Sequence, residues 1–218
     1  WPKSTRKDAQ HAVEAAHEAF PAWADLGVHG RAEYLTKAVD VLKGRIDEIA
    51  ATLTEENGKT LEEGRTEARS AVKEMEFQIA QGLSMCGETA QSAQKGVFAY
   101  AIRRPLGAVS IICPWNFPFN VPGRKCTPAL ISGNTVVMKP ASLTPKAGKA
   151  FVDLFIEAGL PRGVLNLITG GGSTVGEEMI TNPMVEAISF TGSTGTGKSI
   201  QQSVAKSLTR TQLELGGK

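Results

Sequence analysis

Five short strand-like runs, separated by helical stretches, limit this chain to very few folds. All lie after Gly107: Ala108-Val-Ser-Ile-Ile112, Thr135-Val-Val-Met138, Val164-Leu-Asn-Leu-Ile168, Val185 to Phe190, and the shorter Thr211-Gln-Leu-Glu214. The first four are close to continuously apolar, which suits strands buried on both faces. Between them a helical period returns over residues 119–131, 145–158, about 175–180 and about 197–207. Gly133-Asn134 and Gly159 stop two of these helices, Asn182-Pro183 breaks a third, and Pro145 opens one. Strands alternating with helices predict an α/β fold with a Rossmann-like, doubly wound parallel sheet.

The first 85 residues read as helices. Ser4 or Thr5 caps the first, and Val13, Ala16, Phe20 and Trp23 recur at helical spacing until Gly27 and Gly30 break the pattern. Residues 31–53 carry one apolar stripe, Leu35, Ala38, Val39, Leu42, Ile46 and Ile49, stopped by Asn57-Gly58. Thr60 and Glu63 form a capping box for a further helix that buries Ala68, Val72, Met75, Phe77 and Ile79. Met85 reads as core as well. From Val97 to Arg104 the period falls to two, a strand between Gly96 and Pro105. The chain thus divides into a helical region 1–82, a protruding hairpin 83–104 and a sheet core 105–218.

Composition narrows the function classes. The 24 basic and 22 acidic side chains leave a formal charge of +2, with no charge run suited to nucleic acid. Cys86, Cys113 and Cys126 are odd in number and lack C-x-x-C spacing, which argues for reduced thiols in a cytoplasmic protein. His11, His17 and His29 read as solvated helix positions, not metal ligands. There is no apolar run of about 18 residues, so no membrane helix is expected. The start, Trp1-Pro-Lys-Ser-Thr5, shows neither a methionine nor a signal-peptide pattern, and the end stops inside a motif. The chain is expected to be part of a longer protein.

In a sheet of this kind ligands bind beyond the carboxyl ends of the strands. The segments there are Cys113-Pro-Trp-Asn116, Lys139-Pro-Ala-Ser142, Thr169-Gly-Gly-Gly172, Thr191-Gly-Ser193 and Glu214-Leu-Gly-Gly217. One glycine cluster reads as a turn; five such ends on one sheet edge read as a single crevice for a cofactor. The loop after the fourth strand has two readings. Gly192, Gly197, Lys198 and Ser199 fit G-x-x-x-x-G-K-[ST], the phosphate-cradling P-loop of nucleotide hydrolases. The same residues spell Phe190-Thr-Gly-Ser-Thr-x-x-Gly197, a loop of enzymes that bind a nicotinamide dinucleotide. A P-loop protein needs a later strand ending in an Asp that holds Mg²⁺, and the residues after Ser199 contain no Asp. A non-catalytic binding or assembly module is the third reading.

Pro114-Trp-Asn-Phe-Pro118, Lys139-Pro-Ala-Ser142, Phe190-Thr-Gly-Ser-Thr-x-x-Gly197 and Leu213-Glu-Leu-Gly-Gly-Lys218, in this order and spacing, resemble the aldehyde dehydrogenase superfamily. The resemblance covers nearly the whole chain. It implies oxidation of an aldehyde to a carboxylic acid with NADP⁺ or NAD⁺, through a cysteine thiohemiacetal and thioester. By the same resemblance, Asn116 stabilises the oxyanion and Glu214 activates the hydrolytic water, a task that desolvation between Leu213 and Leu215 would suit. Lys139 meets the adenosine ribose, and Ser142 stands where members preferring NAD⁺ often carry a glutamate. Ile112 and Trp115, with Leu215, belong to the cofactor set, the last two beside the nicotinamide. Gly172 and Gly176 flank the adenine, and Gly192 and Ser193 lie beside the pyrophosphate and nicotinamide ribose. The family's nucleophilic cysteine lies beyond Lys218, matched by none of the three present, so these 218 residues alone are expected to be inactive. The resemblance also implies a homodimer or homotetramer built on the hairpin. It leans towards semialdehyde substrates, with Phe117, Arg124 and Cys126 near the aldehyde path and Arg124 either a carboxylate partner or a structural cation.

Overall fold

The computed structural model describes residues 2–216. Gly217 and Lys218, which complete the last motif, lie outside them. Thr5 caps α1 (Arg6–Asp25): its hydroxyl accepts from the Asp8 N–H at 3.2 Å, while the Asp8 carboxylate accepts from the Thr5 N–H at 2.7 Å. Gly27, at φ +74°, turns the chain into α2 (Gly27–Gly44). Gly30 therefore lies inside a helix and does not break one. The stripe expected on a single helix is shared by α2 and α3 (Ile46–Asn57), which are separated at Arg45 (φ −116°, ψ 15°). Arg45 bonds to Glu48 and, at 3.1 Å, to Glu157, so the bend is held by side chains.

Gly58, at φ +79°, ends α3, and the Thr60–Glu63 box opens α4 (Leu61–Leu83) as expected. Ala68, Val72, Met75 and Ile79 are buried, but Phe77 is 58% exposed. Two residues past Met75 is about 200° around the helix, which points Phe77 away from the core. Met85, beyond the end of α4, is exposed too. The hairpin is short: β1 (Glu88–Ala90) pairs antiparallel with β2 (Ala99–Ala101). Phe98 and Tyr100 stack on it at 5.8 Å between ring centroids, both exposed, as are Val97 and Ile102.

The main sheet holds β3 (Ala108–Ile112), β4 (Thr135–Lys139), β5 (Leu165–Leu167), β6 (Val185–Thr191) and β7 (Arg210–Glu214). All pairings are parallel and the order is β5-β4-β3-β6-β7. Alternate residues serve two cores. Val109, Ile111, Val136 and Met138 join α2, α3, α4, α5 (Asn120–Ile131) and α6 (Pro145–Glu157) on one face. Ala108, Val137, Ile188 and Phe190 join α1, α7 (Glu177–Thr181) and α8 (Thr194–Val204) on the other. This is the expected doubly wound sheet, preceded by helices and a hairpin. The short helix expected over 175–180 is a π-helical turn, Gly172–Gly176, that runs into α7. Buried Arg31 of α2 donates to the carbonyls of Ala24 (2.8 Å) and Ile131 (3.0 Å), tying the helical layer to the last turn of α5. Among the described residues, no helix is long and apolar enough to cross a membrane.

Candidate cofactor and active-site edge

The chain runs outward from β3 to β5, then crosses back to β6 beside β3. The order reverses between β3 and β6, the place where open α/β sheets bind ligands. Ile112 sits there, paired in register with Lys139 on one side and Phe190 on the other. The loop after β3 carries Trp115 and Asn116, and the turn after β6 carries Gly192 and Ser193. Gly192 donates to the Glu214 carbonyl at 3.1 Å, and a Cβ on it would lie 2.5 Å from the tip of the Phe190 ring, so a side chain there would have to displace that ring. The Ser193 hydroxyl accepts from the Thr196 N–H at 3.2 Å and starts α8 at Thr194, three residues earlier than expected. The segment that a P-loop needs as an open cradle is therefore the first turn of a helix. Ser199 donates to the Gly195 carbonyl at 3.1 Å within that helix. Leu215 packs on Gly197, where a Cβ would come within 2.5 Å of it.

Lys139 ends β4 and is buried. Its ammonium donates to the Pro140 carbonyl at 3.1 Å, and no carboxylate pairs with it among the described residues. Burial pulls its pKa below the ordinary lysine value, opposed by the nearby Cys113. Three donors with one acceptor leave capacity for hydroxyl or phosphate oxygens. Ser142, exposed on the following turn, donates to the Gly170 carbonyl at 3.2 Å. With Lys3, Gly171 and Thr174 it lines a cavity of about 330 Å³. Gly172 opens the π-helical turn next to this cavity and buried Gly176 closes it. Nothing lies within 4 Å of a Cβ built on either glycine. A nucleotide fits these groups.

The residues expected to act on the aldehyde line different cavities. Asn116 is exposed, and its side-chain oxygen accepts from the Phe117 N–H at 3.1 Å. It lines a cavity of about 400 Å³ with Lys59, Glu67 and Phe117. Glu214 lines another, of about 560 Å³, with Thr191, Arg124 and Lys125. It is exposed at the end of the edge strand and accepts from the Gln212 amide at 2.8 Å; Leu213 and Leu215 do not bury it. The five strand ends share one sheet edge: the segments after β4 and β5 line one cavity together, and the ends of β6 and β7 line another.

Two side chains escaped the sequence reading. Lys125 is buried and donates to the Ser189 hydroxyl at 2.7 Å and the Gln212 side-chain oxygen at 3.1 Å. Burial lowers its pKa, with Cys113 and Glu214 acting the other way. Glu67 is buried in α4. Neither had a signal, because a charged residue inside a helical stretch reads as a solvated face. Arg124 is half-exposed and paired with Glu74 at 2.8 Å. Cys113 and Cys126 are buried; burial pushes the Cys113 thiol up to about 12 and the Cys126 thiol well above its ordinary value. Both are held as thiols, the unreactive form.

A doubly wound sheet with its polar and glycine-rich segments at the order reversal defines a nucleotide-binding class of fold. The sequence model of the aldehyde dehydrogenase family matches residues 1–218, and the chain belongs to that family. It is 42% identical over 215 residues to the alpha-ketoglutaric semialdehyde dehydrogenase of Bacillus subtilis (strain 168), covering 99% of this chain and 44% of that protein. It is 38% identical over 216 residues to the NADP(+) succinate-semialdehyde dehydrogenase of Escherichia coli (strain K12), covering 99% and 45%. A crystal structure of a Staphylococcus aureus betaine aldehyde dehydrogenase variant in complex with NAD⁺ superposes with a TM-score of 0.96 at 33% identity, over 99% of this chain and 44% of that one. The chain thus spans less than half the length of these relatives.

Proposed function

We propose that these residues are the cofactor-binding part of a cytoplasmic NAD(P)-dependent aldehyde dehydrogenase. One observation carries the reading: the buried Lys139 ammonium, with donors to spare, ends a strand beside the Ser142–Gly170 cavity at the ligand-binding edge. Lys139 and Ser142 take the adenosine ribose, with Gly172 and Gly176 on the adenine side. Gly192 and Ser193 border the pyrophosphate and nicotinamide ribose; Ile112, Trp115 and Leu215 line the nicotinamide half. A nicotinamide held there would supply the hydride acceptor for the substrate carbon. Asn116 donates its amide to the developing oxyanion, and Glu214 draws a proton from the water that releases the acid. The nucleophile is a cysteine outside these 218 residues.

Both cofactors are accepted. Serine at 142 brings no charge to repel a 2′-phosphate, and relatives named for NADP(+) and solved with NAD⁺ both occur. The substrate is a semialdehyde, as the names of similar proteins suggest, with Arg124 as a candidate partner for its far carboxylate. The exposed Phe98, Tyr100 and Ile102 of the hairpin support a homodimer or homotetramer. In the full-length enzyme, Glu214→Gln should slow turnover while a pre-steady-state burst of reduced cofactor survives. Loss of the burst together with turnover would count against Glu214 as the deacylation base.

A further inference from the structure

Glu67 is a charge placed where charges are costly. It is 3% exposed, and a buried carboxylate persists only when paired and hydrogen-bonded. One oxygen accepts the N–H groups of Phe119 (2.9 Å) and Asn120 (3.1 Å). The other is paired with the ammonium of Lys59. Helix α5 has no side-chain cap of its own, since Phe119 occupies its N-cap. Glu67 supplies, from α4, the acceptor that α5 lacks.

The contacts continue along the loop. The Lys59 ammonium lies 4.2 Å from the centre of the Phe117 ring, a cation–π distance. Asn57 donates its amide to the Trp115 carbonyl at 2.8 Å. Residues 115, 117, 119 and 120 are thus each held by the α3–α4 junction or by α4 itself. Asn116 lies between the first two of these anchors.

We propose that Glu67, held in place by Lys59, is a positioning residue that sets the Asn116 amide for oxyanion stabilisation. This rests on the reading of Asn116 as the oxyanion donor. A cap alone would serve only stability. Anchoring on both sides of one exposed residue also fixes where that residue's donor points, and a displacement of about 1 Å in a catalytic group is enough to cost up to about a hundredfold in rate.

The test is a double-mutant cycle in the full-length enzyme, with kcat, the dissociation constant of NADP⁺ and Tm measured for each variant. Asn116→Ala should lower kcat by about a hundredfold or more, as loss of an oxyanion donor does. Glu67→Gln, which keeps an acceptor oxygen but loses the ion pair, should lower kcat about tenfold while NADP⁺ affinity stays within about twofold. In the Asn116→Ala background the same change should alter kcat by less than about twofold, because there is no amide left to position. Lys59→Met, at a more accessible side chain, should reproduce the pattern if Glu67→Gln folds poorly. Additive losses in the double variant, or a lowered Tm with kcat intact, would overturn the positioning role and leave the reading of Asn116 standing. An Asn116→Ala enzyme with undiminished kcat would remove that reading and this proposal with it.

Discussion

Strands β4 and β7 belong to one sheet and end at the same edge, yet their surroundings differ. β4 is buried at all five positions and ends in a buried lysine, with helices packed on both faces. β7 alternates exposed and half-buried residues and ends in an exposed glutamate. On the β4 flank, the groups proposed for the adenosine are already fixed by packing: Lys139 by burial, Ser142 by Gly170. On the β7 flank, the Glu214 side chain accepts from its strand neighbour Gln212, while its backbone pairs with Thr191 and accepts from Gly192. Under the proposed function, cofactor recognition is a property that these residues should show by themselves. Aldehyde chemistry, for which Asn116 and Glu214 are proposed to act on one reacting carbon, should not be.

The strongest way to break this contrast is to probe packing on the two flanks. Phe151 of α6 is fully buried, 5.1 Å from Phe155 and 5.7 Å from Phe119 between ring centroids. Phe151→Ala should cost about 3–5 kcal/mol in chemical denaturation. Arg210→Ala, at an exposed position of β7, should change stability by no more than about 0.5 kcal/mol. Comparable losses at both sites would mean that the β7 flank is as tightly built as the other.

The next effect concerns Ser142. A glutamate there would face a 2′-phosphate, so Ser142→Glu should weaken NADP⁺ binding by about 1–3 kcal/mol, ten- to a hundredfold, and leave NAD⁺ within a few-fold. Unchanged NADP⁺ affinity by calorimetric titration would remove Ser142 from the site. Smaller still is the cap beneath the layer that covers β4: Thr60→Ala should cost about 1 kcal/mol by losing the box with Glu63. Thiol labelling separates the flanks without any substitution. Near pH 8, exposed Cys86 should react readily, while Cys113, pushed up to about 12 behind the end of β3, and buried Cys126 should react only on unfolding. Three thiols labelled at one rate would contradict the buried edge.

The same contrast explains what the sequence disclosed. The parallel strands were legible because continuous apolar runs have few other uses, and the cap at Thr60 because its partner Glu63 lies three residues on; the first cap stayed open between Ser4 and Thr5 until the structure showed Thr5 paired with Asp8. The bend at Arg45 follows Gly44, a glycine that the apolar stripe running across it conceals, and Arg45 is tied to Glu48 and Glu157. Phe77 was placed in the core by composition when its angular position on α4 puts it outside. The glycines after β6 suggested a loop up to Gly197, but Ser193 caps the helix earlier. Which residues stand at the strand ends was legible from the strand runs themselves. Lys125 and Glu67 were not, because only the fold shows that their helix faces are buried.

The most direct measurement is a calorimetric titration of the 218-residue chain with NADP⁺, NAD⁺ and ATP–Mg²⁺, with aldehyde oxidation assayed on the same sample. The account predicts binding of NADP⁺ and NAD⁺, none of ATP–Mg²⁺, and no oxidation. Binding of ATP–Mg²⁺ alone, or measurable aldehyde oxidation by these residues, would contradict it.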